Sequence, residues 1–504
     1  MQDISYWVSK RAKISPDRIA LIGEKDRYTY KEMNYKVSKY ARVLQSAYGL
    51  KKGDRVGILS TNNLEFIILL FAVAKLNAIA VPLNIRLTGT ELEYQVKDSG
   101  LETLVVNETF KGMGEALKAS AELKFLLTFE RLTVFAESLK ELPAESENIV
   151  DADAPFIICY TSGTTGKPKG AVLTQENMFW NALNNTTAID ITSKDTNIVL
   201  LPLFHIGGIG LFTFPVLFAG GTVVVLEKFE PEKALRWIEK YNVTLVMGVP
   251  TIHDALRKAS NFETTNLSSV RWFYSGGAPC PEELIYFYLS KGVAFGQGFG
   301  LTETSPTVFM LLEEDYKRKI GSIGRPAMFN DIRIVDEMGE DVVTGEVGEL
   351  FIKGPNVFKE YWNLPEATAN SIQNGWFATG DLVSQDREGF IYIAGRKKEM
   401  IISGGENIYP LEIEKVLYEL PPVVETAVIG AAHEKWGETP IAIVVLKEGE
   451  AISKEDLRRH CLNRLACYKV PTSFKFVSAL PRNATGKIDK ATLIKQYANE
   501  GVKK

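Results

Sequence analysis

Cysteine is scarce in this chain. Its four residues, Cys159, Cys280, Cys461 and Cys467, are scattered over 504 positions. No pair has zinc-finger spacing, and the set cannot form a disulfide framework. A reducing, cytoplasmic setting is therefore expected. Charge of one sign is also lacking. Fifty-eight Lys and Arg meet 62 Asp and Glu, a formal net charge of -4. That excludes the basic excess a nucleic-acid partner would require. The opening Met1-Gln-Asp-Ile-Ser-Tyr-Trp7 has no basic segment followed by an apolar stretch, so no signal peptide is expected. No fixed-period repeat or low-complexity tract is visible. One uncharged run, Phe204 to Leu226, is long enough to span a bilayer. It is broken by His205, Gly207, Gly208, Gly210, Pro215, Gly220 and Gly221. It reads as a loop, a buried helix, a turn and a strand over 222–226, not as a membrane span.

What remains is an ordinary globular balance, 45% hydrophobic and 24% charged. Such a length suggests several structural units with a large core. Strand patterns at 55–59, 78–82, 103–106, 156–160, 197–201, 222–226, 244–247 and 272–275 alternate with helical ones, such as 63–75 and 231–241. This rhythm predicts an α/β fold of layered, mostly parallel sheets. From about residue 330 to 396 strands outnumber helices (332–335, 348–353, 389–394), which predicts a small β-barrel-like subdomain. After Arg396 a helix over 410–420, a capped helix start at Ser453 and strands at 426–429, 441–446 and 474–477 predict a compact α+β unit. The expected division is thus an N-terminal domain over 1–396 and a C-terminal lid over 397–504. The lid carries a small excess of Lys and Arg, the remainder an excess of Asp and Glu.

The densest chemical signal is Tyr160-Thr-Ser-Gly-Thr-Thr-Gly-Lys-Pro-Lys-Gly170. Glycines and small hydroxyl residues let backbone N–H groups and side chains close on phosphate oxygens, and Lys167 and Lys169 add charge. It is not a Walker A loop: Gly163-Thr-Thr-Gly-Lys167 is too short and no Ser or Thr follows the lysine. Ala171-Val-Leu173 then reads as a strand, so a hairpin, not a helix N-terminus, must carry the loop.

This stretch resembles the phosphate signature of the adenylate-forming superfamily, which includes acyl-CoA synthetases, adenylation domains of peptide synthetases and beetle luciferases. Gly298-Phe-Gly-Leu-Thr-Glu303, Thr379-Gly-Asp381, Gly395-Arg-Lys-Lys-Glu-Met400 and Pro481-Arg-Asn-Ala-Thr-Gly-Lys487 resemble further signatures of that family, in order. The likeness implies ATP-dependent formation of an acyl-adenylate, then transfer to a thiol, with coenzyme A expected. ATP, Mg²⁺ and a small carboxylic acid are the implied partners.

The resemblance also implies roles. Thr161, Ser162, Gly163, Thr164, Thr165 and Lys169 would hold the phosphates, with Thr302 on the α-phosphate and Glu303 as the Mg²⁺ ligand. Phe299, where the family usually has Tyr, would stack on adenine beside Gly300, with Gly276, Gly277 and Ala278 on the other face. Asp381 and Arg396 would meet the ribose. Lys487 would bridge the acyl carboxylate and the α-phosphate, where an ammonium stabilises crowded negative charge. Lys398 would be the hinge. Gly404, Gly405, Glu406 and Trp436 would accept coenzyme A. His205, also a candidate catalytic residue, would border the acid with Ile206, Gly207 and Ile209, and Gly207, Gly208 and Gly210 suggest room. His205 is not expected to act as a base, since a carboxylate is already ionised at neutral pH. Gln175, where many relatives carry His, should affect packing only modestly.

The expected activity is an acid–CoA ligase acting on a medium- or long-chain fatty acid. Alternatives are an aryl-acid ligase of o-succinylbenzoate or coumarate type, an enzyme loading a carrier-protein thiol, and a catalytically silent adenylate binder. A homodimer is neither demanded nor excluded.

Overall fold

The computed structural model describes residues 3–139, 151, 153–161, 167–483 and 486–498. Packing divides the chain into two compact units. The first comprises Met1–Asp331 and Ile352–Phe377, the second Ile332–Phe351 and Ala378–Lys504.

Among the described residues the first unit contains two sheets. In one, strands Ile79–Pro82, Arg55–Leu59, Thr103–Val106 and Phe125–Thr128 lie parallel in that order. Ile79–Pro82 and Thr103–Val106 are buried at every residue, as expected of parallel strands covered on both faces. Beyond Ile79–Pro82 comes the antiparallel hairpin Pro155–Thr161 and Lys169–Thr174, edged by the short strand Glu360–Tyr361. The second sheet has nine strands. Its parallel centre runs Phe295–Phe299, Trp272–Ser275, Leu245–Gly248, Thr196–Val199, Thr222–Val225 and Ile19–Ile22.

Helix Leu64–Lys75 shows how local sequence meets this core. Asn63 caps it, accepting from the Phe66 N–H at 2.7 Å. Every residue from Phe66 to Ala74 is buried, so the helix is apolar all round and internal. The uncharged run becomes helices Ile206–Gly210 and Thr213–Ala219 and strand Thr222–Val225. Among the described residues no helix is long and apolar enough to cross a membrane.

In the second unit, strands Glu406–Ile408, Ile401–Ser403, Gly437–Leu446 and Val423–His433 form a sheet, with Ser473–Phe476 joined parallel to Gly437–Leu446. Alternate residues serve two cores. Val428, Ala442 and Val444 pack with Ile413, Leu417 and Leu457, from helices Pro410–Tyr418 and Lys454–Leu462. Ala427, Ile429 and Ile443 pack with Leu493 of helix Lys490–Tyr497. Pro410 occupies a first turn, and Ser453 accepts from the Asp456 N–H at 3.0 Å.

The packing division does not fall at 396. Strand Ile391–Arg396 pairs antiparallel with Trp376–Gln385, matching Asp381 to Arg396, and residues 378–396 pack with the C-terminal portion. Trp376–Gln385 itself was not anticipated, because the polar Thr379, Asp381 and Ser384 and the left-handed Gly380 hide its alternation.

Candidate active site

The phosphate hairpin is formed as expected. Thr161 and Lys169 are register partners where the two strands part. Ser162, Gly163, Thr164 and Thr165 lie outside the described residues. Helix Gly89–Ser99 supports the hairpin from the side. The Tyr160 hydroxyl donates to Asp98 Oδ2 at 2.6 Å, and the Tyr94 hydroxyl to the Pro168 carbonyl at 3.4 Å. From the opposite edge, the Trp362 N–H donates to the Gly170 carbonyl at 2.7 Å and that of Lys359 to Val172 at 2.9 Å.

This edge strand also reaches Glu303. The Tyr361 hydroxyl donates to Glu303 Oε1 at 2.8 Å, and the Phe358 N–H to the Glu303 carbonyl at 2.8 Å. Lys169 Nζ stands 5.0 Å from the centroid of the Tyr361 ring. Burial, then the Glu303 carboxylate, push the Tyr361 phenol well above its ordinary pKa, so it remains a donor. Tyr361, Asp98 and Tyr94 were not singled out in sequence. The aromatic pair Tyr361-Trp362 is the one signal that could have pointed there.

Thr302 and Glu303 sit in a single 3₁₀ turn, Thr302–Thr304, after strand Phe295–Phe299. A Cβ on Gly300 would lie 1.5 Å from the Pro306 carbonyl oxygen, so no other residue fits while the chain doubles back. Gly276, Gly277 and Ala278 follow the adjacent parallel strand Trp272–Ser275, which pairs Ser275 with Gln297. Phe299, Gly300 and the 276–278 turn therefore leave the C-terminal ends of neighbouring strands, where open α/β sheets hold ligands.

His205 precedes helix Ile206–Gly210, its ring 4.6 Å from that of Phe204. The glycines of this segment do not simply provide room. A Cβ at Gly208 would meet the Pro202 carbonyl oxygen at 2.2 Å, and one at Gly210 the Ser305 carbonyl oxygen at 2.7 Å. They permit close backbone packing; only Gly207 has ordinary clearance, 3.4 Å to Leu211. Ile206 and Ile209 belong to the main core of this unit. Asn181 joins the segment to the 305–307 turn: it donates to the Gly210 carbonyl at 2.6 Å and accepts from the Thr307 N–H at 3.1 Å. Gln175 is fully buried and structural, accepting from the Ile4 N–H at 2.7 Å and donating to the Ala74 carbonyl at 3.2 Å.

In the second unit, Asp381 is buried and its Oδ1 is 2.7 Å from Arg396 Nε. Lys398 is exposed in the turn Lys397–Glu399. Lys487 is exposed, its N–H donating to Asn483 Oδ1 at 3.0 Å and its carbonyl accepting from the Asn483 N–H at 2.9 Å. Three residues on, Lys490 is held 3.0 Å from Glu399 and 2.9 Å from Glu414. Gly404 and Gly405 turn a hairpin whose last residue pair is Ser403 and Glu406. The Gly404 N–H donates to the Trp436 carbonyl at 2.8 Å, and the half-exposed indole covers Gly404. Gly404 and Trp436 are thus brought together, with Gly405 and Glu406 next in the same turn.

Residues 8–362 match the AMP-binding enzyme family, and residues 412–487 its C-terminal domain. The chain belongs to the AMP-binding enzymes. This AMP-binding enzyme is 39% identical to a feruloyl-CoA synthase of Amycolatopsis sp over 98% of its own length and 99% of the relative's. It is also 39% identical to the long-chain-fatty-acid–CoA ligase FadD13 of Mycobacterium tuberculosis, over 99% of each chain. Among solved structures it resembles o-succinylbenzoate CoA synthetase (MenE) of Bacillus subtilis bound to the acyl-adenylate OSB-AMP, with TM-score 0.88, 35% identity and 98% of each chain covered. The same B. subtilis enzyme has been solved with ATP and magnesium ion. The chain is accordingly an AMP-forming acid–CoA ligase.

Among the described residues no three His, Cys, Asp or Glu side chains converge as a metal cage. Glu303 is 9% exposed. One carboxylate suits a Mg²⁺ ion that arrives with nucleotide phosphates and keeps its waters, not a resident all-protein site.

Proposed function

We propose that this AMP-binding enzyme activates an acid with an uncharged, apolar body, a medium- or long-chain fatty acid in the first reading. The acid's carboxylate oxygen attacks the α-phosphorus of ATP, forming acyl-AMP and releasing pyrophosphate. The thiol of coenzyme A then attacks the acyl carbonyl, releasing AMP and a proton.

The observation that carries the ATP half is the Lys169–Tyr361–Glu303 arrangement, which offers a cation and a carboxylate beside the phosphate hairpin. Thr161 to Thr165 with Lys169 would hold phosphates, Thr302 the α-phosphate, and Glu303 a Mg²⁺ ion that, when bound, draws charge from the leaving pyrophosphate. Phe299 and the 276–278 turn would enclose adenine. Asp381 and Arg396 would meet the ribose, and Lys487 the attacking carboxylate. Lys398 would be the pivot between the two half-reactions. Free coenzyme A is favoured over a carrier-protein thiol by the Gly404–Trp436 contact, a flat apolar surface on a turn without side chains. The CoA ligases similar along the whole chain support the same choice.

Support for an apolar acid comes from the segment Leu203–Phe212, which carries no Asp, Glu, Lys or Arg. An aryl acid is the second reading, because the feruloyl and fatty-acid relatives are equally similar. ATP–pyrophosphate exchange across aliphatic, aryl and dicarboxylic acids, with coenzyme A then added, tests the proposal. Exchange with C8–C18 fatty acids and acyl-CoA formation are expected. Exchange with aryl acids alone would displace the fatty-acid reading.

A further inference from the structure

We propose that Tyr361 is a positioning residue that holds Lys169 and Glu303 apart as two independent charges, one for a polyphosphate oxygen and one for a divalent cation. The inference deepens the reading of those two residues given above and rests on it.

Tyr361 touches both groups in different ways. Its hydroxyl donates to Glu303 Oε1 at 2.8 Å, while its ring lies under the Lys169 ammonium at 5.0 Å. The residue cannot drift. Its backbone pairs with Ala171 of the phosphate hairpin, and its N–H donates to Thr368 Oγ1 at 2.9 Å. The Phe358 ring packs on it at 4.7 Å, backed by Phe377 at 5.3 Å from Phe358. Only 8% of Tyr361 is exposed.

The chemistry explains why a phenol is used there. An ammonium and a carboxylate near each other in a poorly solvated place attract strongly. A direct ion pair would consume the cation meant for phosphate and the anion meant for metal. No such pair joins Lys169 to Glu303. The ring face instead takes the ammonium weakly, leaving its N–H groups able to turn to an incoming anion. The hydroxyl fixes one carboxylate oxygen by a charge-assisted bond, and Oε2 stays available to a cation. Since Tyr361 lies on the strand that also binds Val172 and Gly170, the hairpin and the Glu303 turn are set by one element.

The test is nucleotide binding, read by calorimetry without any acid substrate. ATP affinity is measured without divalent cation and across a Mg²⁺ titration, for Tyr361→Phe, Tyr361→Leu and Glu303→Gln. Tyr361→Phe keeps the ring and should leave metal-free ATP affinity unchanged. It should raise the half-saturating Mg²⁺ concentration by roughly tenfold or more, the worth of one hydrogen bond to a charged group. Tyr361→Leu removes the ring as well and should also weaken metal-free ATP binding, because Lys169 then pairs with Glu303; added salt should narrow that loss. A wild-type Mg²⁺ titration in folded Tyr361→Phe, with Glu303→Gln shifted, overturns the role of Tyr361 alone. An unshifted Glu303→Gln overturns the metal-ligand reading of Glu303, and this inference with it.

Discussion

Arg396 Nε meets Asp381 Oδ1 at 2.7 Å across two antiparallel strands, where the residues are register partners. Each therefore holds the other's orientation before any nucleotide arrives. Asp381→Asn should weaken ATP binding by about 1.5–3 kcal/mol, the range for hydrogen bonds to charged groups. Direct titration with ATP checks this, and Arg396→Lys, which cannot reproduce the planar fork, should not be silent either.

Lys487 should matter to one half-reaction only. Lys487→Ala is expected to lower ATP–pyrophosphate exchange by about 10²–10³-fold, the usual scale for a group that stabilises transition-state charge. Thiolysis of supplied acyl-AMP by coenzyme A should be unchanged. Equal loss in both assays would remove Lys487 from the first step.

The opposite asymmetry belongs to Gly404. Its φ is +61°, and a Cβ there would lie 2.7 Å from Trp436 Cε3. Gly404→Ala should cost about 1–2 kcal/mol in local strain and tilt the indole. The expected result is a raised KM for coenzyme A with unaltered adenylate formation, measured in separate half-reaction assays.

Gly207 and Gly208 are neighbours with opposite tolerance. Gly208→Ala forces a Cβ against a backbone oxygen and should destabilise the protein by ~1–3 kcal/mol. Gly207→Ala has only ordinary van der Waals neighbours and should keep the wild-type Tm. Thermal unfolding of both variants decides the matter.

His253 gives the protein a pH dependence. It is fully buried, with Nε2 3.0 Å from the Tyr274 carbonyl, and burial lowers its pKa from 6.5 to about 4. The unfolded chain therefore binds the proton more readily between those values. The stability this group contributes is full above about pH 6.5 and is lost as pH falls through about 4. The loss amounts to about 3 kcal/mol, at ~1.4 kcal/mol per pH unit. Urea unfolding from pH 7.5 to 4.5 should show the gap between wild type and His253→Phe narrowing as pH falls.

Much of this architecture was legible in sequence because it is local. The all-apolar run 66–74 reads as a buried helix, and Asn63 marks its start. Thr103–Val106 and Trp272–Ser275 appear at the expected residues. The hairpin followed from a strand on either side of the phosphate loop. The Gly404–Trp436 contact was legible only as two separated motifs, since nothing in spacing says that residue 436 folds over residue 404. The glycines at 208 and 210 misled, because a missing side chain reads alike whether it leaves space or admits a backbone.

The sequence by itself determined the family, the order of the motifs and the chemistry they imply, because these reside in residue types at short spacing. Tertiary structure alone decided which charges stand together. Tyr361 is 58 residues from Glu303 in the chain, yet its hydroxyl reaches that carboxylate. A two-residue strand on the edge of the phosphate hairpin brings them into contact. Such a contact depends on sheet order and register, which are set by burial of the whole core and leave no mark in local pattern.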